Sequence, residues 1–169
     1  MTSAPHSPPP PPVPLATHGR VRPHRFERLL AGFVTAVACV AFTIAAVVNP
    51  YDEAGRPRTH GTHRQLGLPP CTMLSTVGFP CPSCGMTTSI ALVFHGDVPA
   101  ACRVNWAGVL LAAVGVAVAI WLGLVAAGLP RPPRLSAEFT ILAFTITGAS
   151  AALVRYVGVL AYSVMFGRS

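Results

Sequence analysis

The sequence predicts an all-α integral membrane protein with three transmembrane helices and a short interfacial amphipathic helix that follows a Cys-Pro-x-Cys-Gly loop. The chain of 169 residues is 52% hydrophobic and 10% charged, with a mean hydropathy of +0.57. A soluble domain carries about 25% charged residues. Three apolar runs are long enough to cross a hydrocarbon core of about 30 Å, and prolines and charges separate them. These features predict a chain embedded in a bilayer.

Residues 1–28 form a tail rich in proline and arginine. The run Pro8–Pro12 lacks backbone donors and has a fixed φ, so it predicts a disordered segment. Residues 29–48 carry no charge and predict the first transmembrane helix. This run is too long for the apolar region of a signal peptide, and no convincing cleavage site follows it. We therefore expect a retained membrane anchor.

The first helix should end at Asn49, because Pro50 disfavours helical geometry in the residue before it. Residues 49–105 form a long connection of mixed polarity that contains a predicted short helix over residues 84–95. Three apolar residues of that helix recur at helical spacing, and Gly96 should stop it. These residues are Met86, Ile90 and Val93.

Residues 106–129 predict the second transmembrane helix, and residues 137–165 predict the third. Prolines and two arginines, Arg131 and Arg134, separate them. Arg155 is the one charge inside the third helix. It lies about 25 Å along that helix, so we expect it to reach the membrane interface. There it could pair with Asp97 or a loop carbonyl. The alternative is a buried functional charge.

The distribution of arginine predicts that the N-terminus is cytoplasmic. Four arginines precede the first helix, and two lie between the second and third helices. The first connection spreads its arginines over many residues, beside acidic side chains. Short loops rich in arginine stay in the cytoplasm, so the cysteine loop and the C-terminus should face outward. The chain has a net charge of +7 but no basic stripe with interleaved aromatic residues, so no nucleic-acid partner is expected.

The second transmembrane helix carries small residues at four-residue spacing, which let two helices approach closely. They are Gly115, Ala119, Gly123 and Ala127. Packing within the chain is the favoured interpretation. A membrane protein partner or a homo-oligomer is the alternative.

The side chains best suited to redox chemistry or metal binding lie in the first connection: Cys71, Cys81 and Cys84. The predicted helix places Cys81 and Cys84 at a helix N-terminus, where free N–H groups and the helix dipole favour a thiolate. Asp97 is expected to cap the following helix. Asn105 is expected to hydrogen-bond to another helix or to the loop.

Three interpretations of these cysteines remain open. A disulfide or buried thiols would attach the loop to the helices, which is the favoured interpretation. A thiol-redox site would exchange electrons within the group, although no thioredoxin-type pattern surrounds it. A metal site, with zinc as the candidate, would use the three sulfurs and a fourth ligand. The candidates for that ligand are His60, His63 and His95.

These motifs resemble the "domain of unknown function 2752" family of small bacterial membrane proteins. The resemblance spans residues 62–129 and is carried by Cys71, the segment from Cys81 to Thr88, the Gly96-Asp97 pair and Asn105. It implies a multi-pass protein of the bacterial cytoplasmic (inner) membrane whose shared feature is the cysteine loop. It implies no activity. Many members have arginine where Thr88 stands here.

The sequence thus predicts an integral membrane protein of unknown function in the lipid bilayer. The first hypothesis is a non-enzymatic accessory or scaffold subunit with its cysteine loop at the membrane surface. The alternative is a membrane thiol-redox or metal-binding protein that acts through the three cysteines. A hydrolytic enzyme is disfavoured, because no carboxylate pair or Ser-His-Asp set can be named.

Overall fold

The computed structural model describes residues 21–132 and 135–166, without the side chain of Phe166. Residues 1–20 of the predicted disordered tail, which spans residues 1–28, lie outside these ranges, as does Arg134, one of the arginines used to predict the membrane orientation. Within them, β-pairing is limited to two isolated bridges. The helices are α1 (Arg25–Val47), a 3₁₀-helix (Thr62–Leu66), α2 (Thr72–Thr76), α3 (Met86–Phe94), α4 (Val98–Ala126) and α5 (Ala137–Phe166).

Three of these helices are long and apolar enough to cross a membrane. α1, α4 and α5 have 23, 29 and 30 residues, which correspond to about 35, 44 and 45 Å at 1.5 Å per residue. The predicted fold class is therefore confirmed. α4 begins well before its apolar run, because the Asp97 side chain accepts the N–H of Ala100 at 3.1 Å and caps the helix.

The small residues of α4 pack against α1 within the chain. A Cβ added at Gly115 would lie 3.2 Å from the ring of Phe42, and one at Gly123 would lie 3.7 Å from the methyl group of Thr35. The Thr35 hydroxyl also donates to the carbonyl of Ala119 at 3.5 Å. Ala127 follows the last turn of α4 and is exposed. The close approach of α1 and α4 thus depends on the absence of larger side chains along this stripe.

α3 packs against α4 through its small and polar face. The Ser89 hydroxyl donates to the carbonyls of Asn105 at 2.7 Å and Ala101 at 3.1 Å. A Cβ at Gly108 would lie 3.0 Å from Ser89. The buried residues of α3 are Thr88, Ser89, Ala91 and Leu92. The apolar residues that recur at helical spacing therefore lie on the opposite, half-buried side of this helix.

A buried ion pair joins the other end of the helical bundle. Glu27 and Arg131 are 2% and 7% exposed. One carboxylate oxygen of Glu27 accepts from Arg131 Nη2 at 2.6 Å, and the other accepts the N–H of Ala137 at 2.9 Å. The backbone of Arg131 also pairs with that of Val21 through two hydrogen bonds. One carboxylate thus links α1, the connection between α4 and α5, and the first residue of α5.

The Glu27→Gln substitution should reduce the free energy of unfolding by about 3 kcal/mol, because it leaves the Arg131 charge buried without its counter-ion. The measurement is reversible unfolding of the detergent-solubilised protein, followed by tryptophan fluorescence. The matched control is Glu138→Gln, which changes an exposed acidic residue in the first turn of α5 and should cost less than about 1 kcal/mol. Equal losses for the two variants would contradict the importance of the buried pair.

Candidate functional site

Three cysteine sulfurs converge at one point beside the helical bundle. The Sγ atoms of Cys81 and Cys84 are 3.3 Å apart, and those of Cys84 and Cys71 are 3.4 Å apart. All three sulfurs lie within 4.8 Å of one another, and each residue is half-buried. We call this group the cysteine cluster. It brings together the three cysteines that the sequence identifies as candidates.

Two of these cysteines are held by a tight turn that leads into α3. The N–H of Cys84 donates to the carbonyl of Cys81 at 3.0 Å, and the N–H of Cys81 donates to Cys84 Sγ at 3.3 Å. Gly85 follows with a φ of +77°. A Cβ at this position would lie 2.7 Å from the carbonyl oxygen of Thr59. Glycine is therefore required here both by the backbone conformation and by the neighbouring chain.

Cys71 reaches the cluster from a separate segment. It is the residue before α2, and its carbonyl accepts the N–H of Ser75 in the first turn of that helix. The cluster therefore joins the start of α2 to the turn before α3. Nine residues, which include α2, separate Cys71 from Cys81 along the chain.

Asn105 attaches the cysteine turn to α4. Its backbone is non-helical, with φ −161° and ψ 96°, and it breaks α4 within the helix. Its side-chain oxygen accepts the N–H groups of Ala107 at 3.1 Å and Gly108 at 3.3 Å, so it caps the helix that restarts there. Its amide nitrogen donates to the carbonyl of Cys84 at 3.2 Å. Asn105 thus contacts both a helix and the loop.

The same break in α4 determines where Arg155 lies. Arg155 Nη2 donates to the carbonyl of Val104 at 3.2 Å, one residue before the break. Arg155 is half-buried and does not pair with Asp97, whose carboxylate caps α4. The hydrogen bond places α5 against α4 at the level where the cysteine turn is attached.

The three thiols differ in their ionisation. The backbone N–H of Leu74, with the thiols of Cys84 and Cys81, lowers the pKa of Cys71 to about 7. Burial, together with the thiols of Cys81 and Cys71, raises the pKa of Cys84 to about 12. The prediction that the α3 N-terminus would favour a thiolate at Cys84 is therefore wrong. Desolvation and the adjacent sulfurs outweigh the helix dipole there.

Two of the candidate histidines lie in the cavity next to the cluster, and one does not. His60 and His63 line this cavity, which has a volume of about 820 Å³ and which the three cysteines also line. His63 Nε2 donates to the carbonyl of Pro69 at 3.1 Å, which leaves Nδ1 as an acceptor in the neutral form of the ring. His95 lies at the opposite end of α3, with its ring against Tyr51. Among the described residues, no histidine nitrogen or carboxylate oxygen joins the three sulfurs.

Two buried hydroxyl groups form a hydrogen bond next to the cavity, and one of them belongs to the lining residue Thr88. Thr88 Oγ1 and Thr62 Oγ1 are 2.8 Å apart, and both residues are buried. This contact joins α3 to the 3₁₀-helix, which sequence analysis did not predict. Many members of the family that this sequence resembles have arginine at the position of Thr88. The sequence therefore departs from the family pattern at a buried residue.

The arrangement has the chemistry of a soft-metal or thiol-exchange site. Tetrahedral zinc with bonds of about 2.3 Å separates its sulfur ligands by roughly 3.8 Å. The distances of 3.3 and 3.4 Å are shorter than that value by a few tenths of an ångström, so the sulfurs would separate slightly around a metal ion. A disulfide would require an S–S distance of about 2.0 Å between two of the sulfurs and would leave the third unused.

A comparison with family models finds a match to part of the chain. Residues 71–119 match a family described as "Protein of unknown function (DUF2752)". The matched segment includes the cysteine cluster and Asn105, and it confirms the resemblance inferred from the motif. No curated protein and no solved structure matches the chain.

In metal-free, reduced protein, Cys71 should be alkylated before Cys84. At pH 7.5 a thiol with a pKa near 7 is mostly thiolate, whereas one with a pKa near 12 is protonated. We expect iodoacetamide to label Cys71 at least about 10-fold faster than Cys84. The measurement is time-resolved labelling with peptide mass spectrometry. Faster labelling of Cys84 than of Cys71 would contradict this order.

Proposed function

We propose that this chain, whose residues 71–119 carry the DUF2752 family match, is an integral membrane protein that binds one soft divalent metal ion. Zinc is the first candidate, and the ligands are Cys71, Cys81 and Cys84. The observation that supports this proposal is the convergence of three sulfurs from two separate segments. A disulfide needs only two cysteines, so the third sulfur favours a metal site.

The surroundings of the cluster support the same proposal. The N–H of Cys81 donates to Cys84 Sγ, and such a bond stabilises a thiolate ligand. Asn105 holds the backbone of Cys84 in place. The chain thus supplies both the ligands and the contacts that orient them. His63 lines the same cavity, but its nitrogen atoms are not among the ligand atoms that lie within 4.8 Å of one another in the cluster.

The proposed location is a bacterial cytoplasmic membrane, with the N-terminus in the cytoplasm. Three candidate spans indicate a multi-pass protein. The described arginines Arg22, Arg25, Arg28 and Arg131 lie at the end of the bundle where α1 and α5 begin, which favours the cytoplasmic side for that end. The cysteine cluster lies at the opposite end and would face outward.

In this proposal the metal holds the cysteine loop as a rigid surface of a non-enzymatic accessory subunit. A membrane protein partner or a second copy of the chain would bind there or along α5. The surface of α5 at Gly158 is not covered by the described part of the chain, since an added Cβ would meet nothing within 4 Å.

Thiol-redox activity is the second candidate. The sulfurs of Cys71 and Cys81 each lie within 3.4 Å of Cys84 Sγ, so a small movement would bring either pair to disulfide distance. A redox protein would cycle a disulfide within this cluster. The two proposals therefore predict different states of the same three cysteines. A metal site has three sulfurs bound to one ion, whereas a redox site forms a disulfide between two of them.

The test is metal analysis of the full chain, purified in detergent under non-chelating conditions, together with intact mass under non-reducing conditions. We expect about one zinc per chain and no disulfide in the cluster. Single substitutions of Cys71, Cys81 or Cys84 by serine should each lower the zinc content at least about 10-fold after dialysis. The matched controls are Cys39→Ser and Cys102→Ser, which change exposed cysteines outside the cluster and should retain the metal.

Metal-free protein with a disulfide among the three cysteines would contradict the metal site and favour the second candidate. Equal loss of zinc in the control variants would show that binding is not specific to the cluster.

A further inference from the structure

The cavity beside the cysteine cluster is large and positively charged. Its volume is about 820 Å³, within the range of small-molecule sites. Its lining contains Arg58 and Arg64 together with His60 and His63, and it contains no aspartate or glutamate. A ligand that enters this cavity therefore meets both sulfur donors and guanidinium groups.

Acidic side chains do not neutralise these two arginines. In the described part of the chain, the arginine ion pairs join Arg56 to Asp52 and Arg131 to Glu27. Arg58 Nε donates to the carbonyl of Tyr51 at 2.8 Å, which fixes the position of its guanidinium group. Arg64 is exposed in the 3₁₀-helix. The charge of the cavity wall is thus available to a ligand.

The rest of the lining supplies neutral polar groups. Ser83 and Thr87 line the cavity near the cysteines, and their hydroxyl groups can donate hydrogen bonds to an anion. Together with the arginines, they favour a ligand with a negatively charged group.

We infer that this cavity receives a small anionic thiol, whose sulfur occupies the fourth metal position and whose negative group pairs with Arg64. This inference rests on the proposed metal site and names its ligand class. Three cysteine ligands leave one position of a tetrahedron, and soft thiolate sulfur suits the same metal ions as the other three. The incoming thiol releases its proton to solvent, its sulfur replaces water, and no electrons are transferred.

The test uses the full chain in detergent, loaded with Co²⁺ as a spectroscopic metal. Mercaptoacetate, 2-mercaptoethanol and acetate are titrated separately while the cobalt absorption bands are recorded, and cobalt content is checked after each titration. We expect mercaptoacetate to change the bands with an affinity about 10-fold higher than that of neutral 2-mercaptoethanol. Acetate, which has the charge without the thiol, should change them far less.

Arg64→Gln should remove most of the preference for mercaptoacetate. The matched control is Arg103→Gln, which changes an exposed arginine outside the cavity lining and should keep the preference. Equal affinities for the charged and neutral thiols, or a preference that survives in Arg64→Gln, would overturn the inference. Cobalt bands that none of the three ligands alters would overturn it and leave the metal site standing. No cobalt–sulfur bands at all would overturn both.

Discussion

The break in α4 at Asn105 determines how the cysteine loop is attached to the membrane helices. A residue with extended backbone inside a helix leaves carbonyl groups without their helical partners, and buried carbonyls need other donors. Arg155 of α5 donates to the carbonyl of Val104, and Ser89 of α3 donates to that of Asn105. The amide group of Asn105 then holds the carbonyl of Cys84. A single interruption thus brings α3, α5 and the cysteine turn to the same level of α4.

The opposite end of the bundle is organised by a different interaction. There the carboxylate of Glu27 accepts hydrogen bonds from Arg131 Nη2 and from the first N–H of α5. A buried charge is costly unless it is paired and hydrogen-bonded, and this carboxylate meets both conditions. The bundle is therefore fixed by an ion pair at one end and, next to the cysteine cluster at the other end, by hydrogen bonds to backbone carbonyls. Metal binding or oxidation at the cysteine cluster would therefore affect the end of the helical bundle that lacks the Glu27–Arg131 ion pair.

The sequence predicts the helical spans and the cysteine cluster well, because each has a direct physical signature. Bilayer thickness sets the length of an apolar run, and only a few residue types can bind metal or exchange electrons. The pairing of Glu27 with Arg131 joins residues 104 positions apart, and no local pattern indicates it. The packed face of α3 depends on Ser89 meeting Gly108, which apolar periodicity does not reveal. The lowered pKa of Cys71 depends on the short helix α2, which has too few residues to be recognised from its pattern.

The central claim is that three sulfurs of this chain bind one metal ion. X-ray absorption spectroscopy of the zinc-loaded protein at the zinc edge counts those sulfurs directly. The account predicts about three sulfur scatterers at about 2.3 Å, with one lighter scatterer or an added thiol completing the shell. A shell made only of nitrogen and oxygen, or one with a single sulfur, would contradict the claim and assign the cysteine cluster to another role.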